Sequence, residues 1–228
     1  MARRLKLAVI GLSSCEGCQF AILDLGKKFL KILEDFNLVE FSLIEDRPDI
    51  FAYDICIVEG SPVTKEDRAK LKKARKKSKI LIALGACACV GGIPERVNPR
   101  VDPLKSFVKI DFEIPGCPPD NREILKVLYQ LKEGKTPKIF QKPVCSECPL
   151  VGKNCFLKNK KLCLGPITLA GCQAVCLHNN YRCEGCRGPI ENKENIKNTL
   201  KFFEKIASKK EIKQLIQQFG LTEEIYGD

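Results

Sequence analysis

Fourteen of the 228 residues are cysteine, beside a single histidine, His178, one methionine and no tryptophan. Cys15 and Cys18 form a C-x-x-C pair, Cys56 stands alone, Cys87 and Cys89 are two apart, and Cys117 stands alone again. The remaining eight, Cys145, Cys148, Cys155, Cys163, Cys172, Cys176, Cys183 and Cys186, fall within 44 residues. Thiolates are soft donors that suit zinc and iron–sulfur clusters. A secreted disulfide scaffold would be shorter and would carry an export signal. Here Arg3-Arg4 runs into a short apolar stretch that ends at Gly11 and Ser13-Ser14, too short and wrongly flanked for a signal peptide. No stretch approaches the length of about eighteen apolar residues that spans a bilayer. The sequence therefore reads as cytoplasmic, with reduced thiols and no membrane span. Many reduced cysteines with one histidine point to metal.

Spacing narrows the choice. The tail reads Cys145-x2-Cys148-x6-Cys155-x7-Cys163-x-Gly-Pro, then Cys172-x3-Cys176-x6-Cys183-x2-Cys186-x-Gly-Pro. Each quartet ends in C-x-G-P, which parallels the C-P that ends each quartet of a two-cluster ferredoxin, where the fourth cysteine ligates the other cluster. That crossing assigns Cys145, Cys148, Cys155 and Cys186 to one cluster, and Cys163, Cys172, Cys176 and Cys183 to the other. Zinc ribbons use C-x2-C pairs about 15–20 residues apart. The Cys145/Cys148 and Cys183/Cys186 pairs are separated by 34 residues holding four further cysteines, which disfavours zinc.

The elements that must position the other cysteines are strands and helices in alternation. Residues 5–12 are a continuous apolar run, as a strand buried on both faces should be, residues 54–58 are another strand, and residues 80–84 a further buried one. Residues 39–44 and 108–114 read as two more strands. Phe20, Leu23, Leu30 and Leu33 fall near helical spacing, Thr64 with Asp67 starts a basic helix to about Lys77, and Asp120 caps a helix through Leu131 stopped by Gly134. Such alternation gives an α/β, doubly wound parallel sheet. Ligands bind there at the carboxyl ends of the strands. Cys15/Cys18, Cys87 and Cys117 each follow a strand and so arrive at one edge. Cys56 lies inside a strand and reads as a small buried hydrophobe. Cys89, in the same loop as Cys87, is taken as structural. Fourteen minus these two leaves twelve thiols, which is three four-thiolate sites. The chain divides at a Pro- and Lys-containing linker, residues 135–143. We read 1–134 as the α/β domain, 135–190 as a two-cluster segment with almost no apolar core of its own, and 191–228 as C-terminal helices. Ile196, Leu200, Phe203 and Ile206 line one face of the first helix; Ile212, Leu215 and Ile216 line the second, ended by Gly220.

The net charge is +11, from 39 basic and 28 acidic residues. A basic, zinc-stabilised nucleic-acid-binding protein is one reading of that balance. The lysines, however, spread along helical segments 65–79 and 193–213, where a solvated face is the usual explanation. Three oxidised four-iron clusters, each of about −2 with its thiolates, would bring the charge to roughly +5. No P-loop, G-x-G-x-x-G or G-x-S-x-G motif is present, so nucleotide and acyl-transfer chemistry have no support.

Ser14-Cys15-Glu16-Gly17-Cys18-Gln19, Val58-Glu59-Gly60-Ser61, Leu84-Gly85-Ala86-Cys87-Ala88 and Ile114-Pro115-Gly116-Cys117-Pro118-Pro119 resemble the small subunit of [NiFe]-hydrogenases. The likeness is narrower to the cytoplasmic sulfhydrogenase delta and F420-non-reducing hydrogenase gamma type, and it extends through CLGPITLAGCQAVC and CEGCRGP, over roughly residues 5–190. The resemblance implies a flavodoxin-like domain with a proximal [4Fe-4S] cluster, then a small ferredoxin-like segment with two more clusters leading outward, three [4Fe-4S] clusters in all. It also implies a partner large subunit carrying the nickel–iron site and a flavin or iron–sulfur acceptor subunit, with no nucleic acid. The 20-kDa subunit of complex I shares the fold and is the alternative relative, but it has adjacent cysteines in place of the spaced Cys15/Cys18 and no eight-cysteine tail.

The periplasmic small subunits carry a twin-arginine leader and a distal cluster with one histidine ligand; here the leader is absent and the cysteines suffice without His178. The large-subunit ending D-P-C-x-x-C-x-x-H is not found, so the nickel belongs to another chain. The loop after the first strand holds cysteines rather than phosphate-binding residues, against FMN. Glu59 has two readings. It precedes a tight Gly60-Ser61-Pro62 turn and could accept backbone hydrogen bonds; by resemblance it is a carboxylate at the proximal cluster and partner interface.

Overall fold

The computed structural model describes residues 3–44, 51–98, 101–138, 141–221 and 225. Among them, five strands make one parallel sheet: β1 (Leu5–Gly11), β2 (Phe36–Phe41), β3 (Tyr53–Glu59), β4 (Ser78–Leu84) and β5 (Phe112–Ile114), in the order β2-β1-β3-β4-β5. This is the flavodoxin-like strand order, with its switch point between β1 and β3. The helices are α1 (Gly17–Leu23), α2 (Lys27–Asp35), α3 (Lys65–Lys77), α4 (Gly85–Val90), α5 (Gly92–Val97), α6 (Asn121–Lys132), α7 (Val175–His178), α8 (Lys193–Phe203) and α9 (Lys209–Ile216). No helix among the described residues is long and apolar enough to cross a membrane.

Alternate residues of the buried strands feed two cores. Leu7, Val9, Ile55, Ile57, Ile82 and Leu84 pack beneath α1, α2 and α6 through Ile22, Ile32, Ile124 and Leu128. Ala8, Ile10, Cys56, Val58, Leu81 and Ala83 face the other way, onto Leu71 and Ala74 of α3. Val144, Leu164, Ile167 and Leu177 of the cysteine-rich tail, and Phe203, Ile212 and Ile216 of α8 and α9, join that second core. The C-terminal helices thus use their apolar faces within the subunit. The tail, expected to have almost no apolar core, is anchored by these four side chains.

Several boundaries differ from those expected of the sequence. The helix expected to carry Phe20 to Leu33 is two, broken at residues 24–26. β2 begins at Phe36 rather than residue 39, because α2 runs straight into it and Phe36 is fully buried. β5 is three residues long: at Asp111 the backbone N–H still donates to the Leu81 carbonyl at 2.9 Å, but Leu81 N donates to the Asp111 carboxylate at 2.8 Å, which also accepts from Arg75 Nη1 at 2.5 Å. Thr64 and Asp67 form the expected capping box on α3. Residues 139 and 140 of the linker lie outside the described residues.

Candidate metal centres

Strand register sets the first centre. Gly11 pairs with Glu59, Glu59 with Leu84, and Leu84 with Ile114, so four strand ends lie level along the sheet's carboxyl edge. Their loops deliver Cys15, Cys18, Cys87 and Cys117. Burial pushes the Cys18 thiol well up, and Glu59, Cys87, Cys117 and Cys15 add to it in that order. Burial, then Cys117, Cys15 and Glu59, push Cys87 up to about 11. These four thiols, site 1, therefore share one neighbourhood. Cys15 and Cys117 are exposed, leaving the site open on the side away from the sheet.

Cys87 and Cys89 sit on α4, not in a loop. Two residues along a helix is a rotation of about 200°, which aims the pair in opposite directions. Cys89 is fully buried, with its thiol 3.5 Å from the Ala83 carbonyl oxygen, and Cys87 is left facing the site. Cys56 is likewise fully buried.

Glu59 is 1% exposed and accepts from Ser14 Oγ at 2.7 Å and Gln19 Nε2 at 2.9 Å. Burial raises its carboxyl above the ordinary range against those two donors, which lower it. Gln19, also 1% exposed, accepts from Leu43 N at 3.0 Å, so it fixes the carboxylate against β1 and the segment after β2. Ser13 donates to Asp67 from its amide at 3.1 Å and its hydroxyl at 2.8 Å, tying the Cys15 loop to the start of α3. These roles of Gln19 and Asp67 do not follow from the sequence; a glutamine one residue after a C-x-x-C is the available signal.

The tail thiols form two further groups, and not by the crossed assignment. Burial, then Cys163, Cys148 and Cys155, push Cys145 up to about 12. These four line one small, largely apolar hollow with Leu150, Phe156 and Leu177, which we call site 3. Cys186 is pushed up to about 11 by burial and senses Cys172, Cys176 and, across the gap, Cys117. Cys183, raised by burial, senses Cys163 and Cys186. Cys172, Cys176, Cys183 and Cys186 constitute site 2. With six or seven residues between cysteines, each loop is long enough to close on its own group. In space the later quartet lies between site 1 and site 3. His178, at the end of α7, is exposed.

Glu147 accepts from Gly171 N at 3.0 Å and Ala174 N at 3.2 Å, shaping the Cys172 loop. Arg187, which nothing in the sequence singles out, is 1% exposed and pairs with Glu123 at 2.8 Å. No three Cys, His, Asp or Glu among the described residues are close enough to hold a single metal ion. A tetrahedral zinc would draw its sulfurs to about 3.8 Å of one another, whereas a four-iron body takes one thiolate per corner and sets them wider. Buried thiols with raised pKa stay protonated until a cationic centre displaces the proton. The donor set fits iron–sulfur clusters.

The family model "NADH ubiquinone oxidoreductase, 20 Kd subunit" matches residues 15–131, which hold all four cysteines of site 1. Sulfhydrogenase 2 subunit delta of Pyrococcus furiosus is 33% identical, with 95% of this chain and 99% of that protein covered. The chain belongs to this hydrogenase small-subunit family. Within it, a vhu subunit of the F420-non-reducing hydrogenase of Methanocaldococcus jannaschii is 32% identical over 82% of each chain. The match to the family extends beyond the α/β part into the eight-cysteine tail. Among solved structures, a chain of the actinobacterial-type NiFe-hydrogenase from Ralstonia eutropha H16 superposes with a TM-score of 0.65, at 16% identity, covering 99% of this chain and 91% of that one. At that identity the likeness speaks for the fold alone.

Proposed function

We propose that this hydrogenase subunit is an electron wire with three [4Fe-4S] sites. Cys15, Cys18, Cys87 and Cys117 hold the first; Cys172, Cys176, Cys183 and Cys186 hold the second; Cys145, Cys148, Cys155 and Cys163 hold the third. When bound, such clusters exchange one electron at a time, which links a nickel–iron site in a partner large subunit to an acceptor. The observation that carries the reading is the placement of three four-thiol groups in sequence, from the open sheet edge to the outer face of the tail.

The chain's own residues do the rest. Glu59, held by Ser14 and Gln19, fixes the Cys15/Cys18 loop beside the exposed thiols where the large subunit docks. Leu150, Phe156 and Leu177 keep water from the third group. Residues 148–183 contain five Lys or Arg and no Asp or Glu, so the outer end presents a basic surface to a flavin or iron–sulfur acceptor subunit. Fourteen reduced thiols suit the cytoplasm. The complex I-like alternative leaves the eight-cysteine tail without a role.

The test is content. Anaerobically reconstituted protein should carry about twelve iron and twelve acid-labile sulfide per chain, and its brown absorption should bleach with dithionite. A colourless protein holding zinc would sink the proposal; about four iron would remove sites 2 and 3 and leave site 1.

A further inference from the structure

The cysteine loops of neighbouring sites approach one another at both gaps. At the first gap the Cys186 thiol of site 2 senses Cys117 of site 1. The Cys183 N–H of site 2 donates to Cys163 Sγ of site 3, at 3.4 Å. Beside the first gap lies Arg187. Its Nη1 donates to the Pro115 carbonyl at 2.7 Å and to Glu123 Oε2 at 2.8 Å, and its Nη2 donates to Glu123 Oε1 at 3.0 Å. Its Nε donates to the carbonyls of Leu169 at 3.2 Å and Ala170 at 3.0 Å. Pro115 precedes Cys117 by two, Ala170 precedes Cys172 by two, and Arg187 follows Cys186. One guanidinium therefore ties together three backbone segments that each bear a cysteine of site 1 or site 2. Gly171 makes room for it, since a Cβ there would lie 2.8 Å from Nη2.

Burying such a pair costs several kcal/mol of desolvation, and an apolar side chain of similar size would often stabilise a core as well or better. Stability alone does not account for it. We propose that Arg187 is a positioning residue for the first internal electron step, holding the loops of Cys117, Cys172 and Cys186 together through the Pro115, Leu169 and Ala170 carbonyls and so fixing both the gap and the potential between sites 1 and 2. The inference rests on the reading that these sites hold clusters. In the step one electron leaves site 1, which is oxidised, and arrives at site 2, which is reduced; no bond breaks and no proton moves. Hydrogen bonds to sulfur and nearby positive charge favour the reduced form and raise a cluster's potential. Glu123 offsets part of that charge, so the two partners act with opposite sign.

The experiment uses the cluster-loaded complex, anaerobically, with Arg187→Gln, Arg187→Lys and Glu123→Gln. Iron content, site-resolved potentials from redox titration followed by electron paramagnetic resonance, and hydrogen exchange at the Cys117 amide are read together. The expected result is full iron in all three. The site 2 potential falls in Arg187→Gln, falls less in Arg187→Lys and rises in Glu123→Gln, while Cys117 exchange quickens in Arg187→Gln. Unchanged potentials, or shifts of one sign in Arg187→Gln and Glu123→Gln, with three clusters present, would overturn the proposal and spare the cluster reading. A wild-type complex lacking clusters at sites 1 and 2 would overturn the cluster reading itself. Should Arg187→Gln fail to fold, Arg187→Lys against Glu123→Gln decides by the same opposition of sign.

Discussion

Gly85 opens α4 at φ +88, and a Cβ built on it would lie 2.3 Å from Cys18 Sγ. Non-bonded heavy atoms rest at about 3.5–4.0 Å, so in Gly85→Ala the sulfur must retreat by at least about 1.2 Å. The left-handed backbone adds about 1–2 kcal/mol for a residue with a Cβ. Set against a typical domain stability of about 5–15 kcal/mol, that strain leaves the fold standing. In the metal-free chain the thiol is the end of a side chain and can turn away. In the loaded chain it is a ligand, and metal–ligand distances tolerate only about 0.2 Å. Gly85→Ala should therefore keep the circular dichroism of the sheet, lose or convert the site 1 cluster, and leave sites 2 and 3 filled, at about eight iron per chain. Gly134→Ala is the control, since it places a Cβ at φ +70 with nothing within 4 Å and should keep all its iron. Full iron and an unaltered site 1 spectrum in Gly85→Ala would refute the idea that this thiol is held at the site.

Four further outcomes are expected. Cys56→Ala and Cys89→Ala, both fully buried, should retain full iron, whereas Cys87→Ala should lose or convert one cluster; iron analysis separates them. Cys148→Ala should leave hydrogen/deuterium exchange at the partner's nickel intact while dye reduction falls, and equal loss of both in an assembled complex would place the exit elsewhere. After chelation and oxidation, trypsin should cut first at the exposed Lys153, Lys158, Lys160 and Lys161, before residues 5–131, because Val144, Leu164 and Ile167 still anchor the ends of that loop. Burial raises the Asp67 carboxyl, but donors from Thr64 and Ser13 outweigh it and leave it below its ordinary value. Its contribution to stability is therefore complete above about pH 4 and is lost as pH falls further. Chemical denaturation of the metal-free Asp67→Asn chain should show a smaller loss between about pH 5 and pH 3 than the wild type.

The strands that form the site were legible where burial on both faces leaves an unbroken apolar run, as in β1, β3 and β4. That was enough to bring Cys15, Cys18, Cys87 and Cys117 to one edge. α4 was not legible: Gly-Ala-Cys-Ala-Cys-Val is small and apolar on every side, so no periodicity betrays a helix, and Cys87 and Cys89 read as loop residues. The neighbourhoods of the tail cysteines were not legible for another reason. Its quartets end like those of a ferredoxin, but loop length decides which thiols meet, and here the loops are long enough to close on themselves. Arg187 carried no signal in one dimension, because its partners at Pro115, Glu123 and Leu169 come from distant parts of the chain.

The spatial order of the sites also bears on how the subunit is made. On the proposed reading, the ligands of site 1 have all been synthesised by residue 117, and those of site 3 by residue 163, but site 2, which lies between them, waits for Cys186. Until the ribosome has released that last stretch and Arg187 has reached Pro115 and Glu123, the two ends are separate conductors with a break in the middle. A nascent or truncated chain can therefore acquire iron without passing charge from one end to the other, and the circuit closes only when the tail folds back onto the sheet.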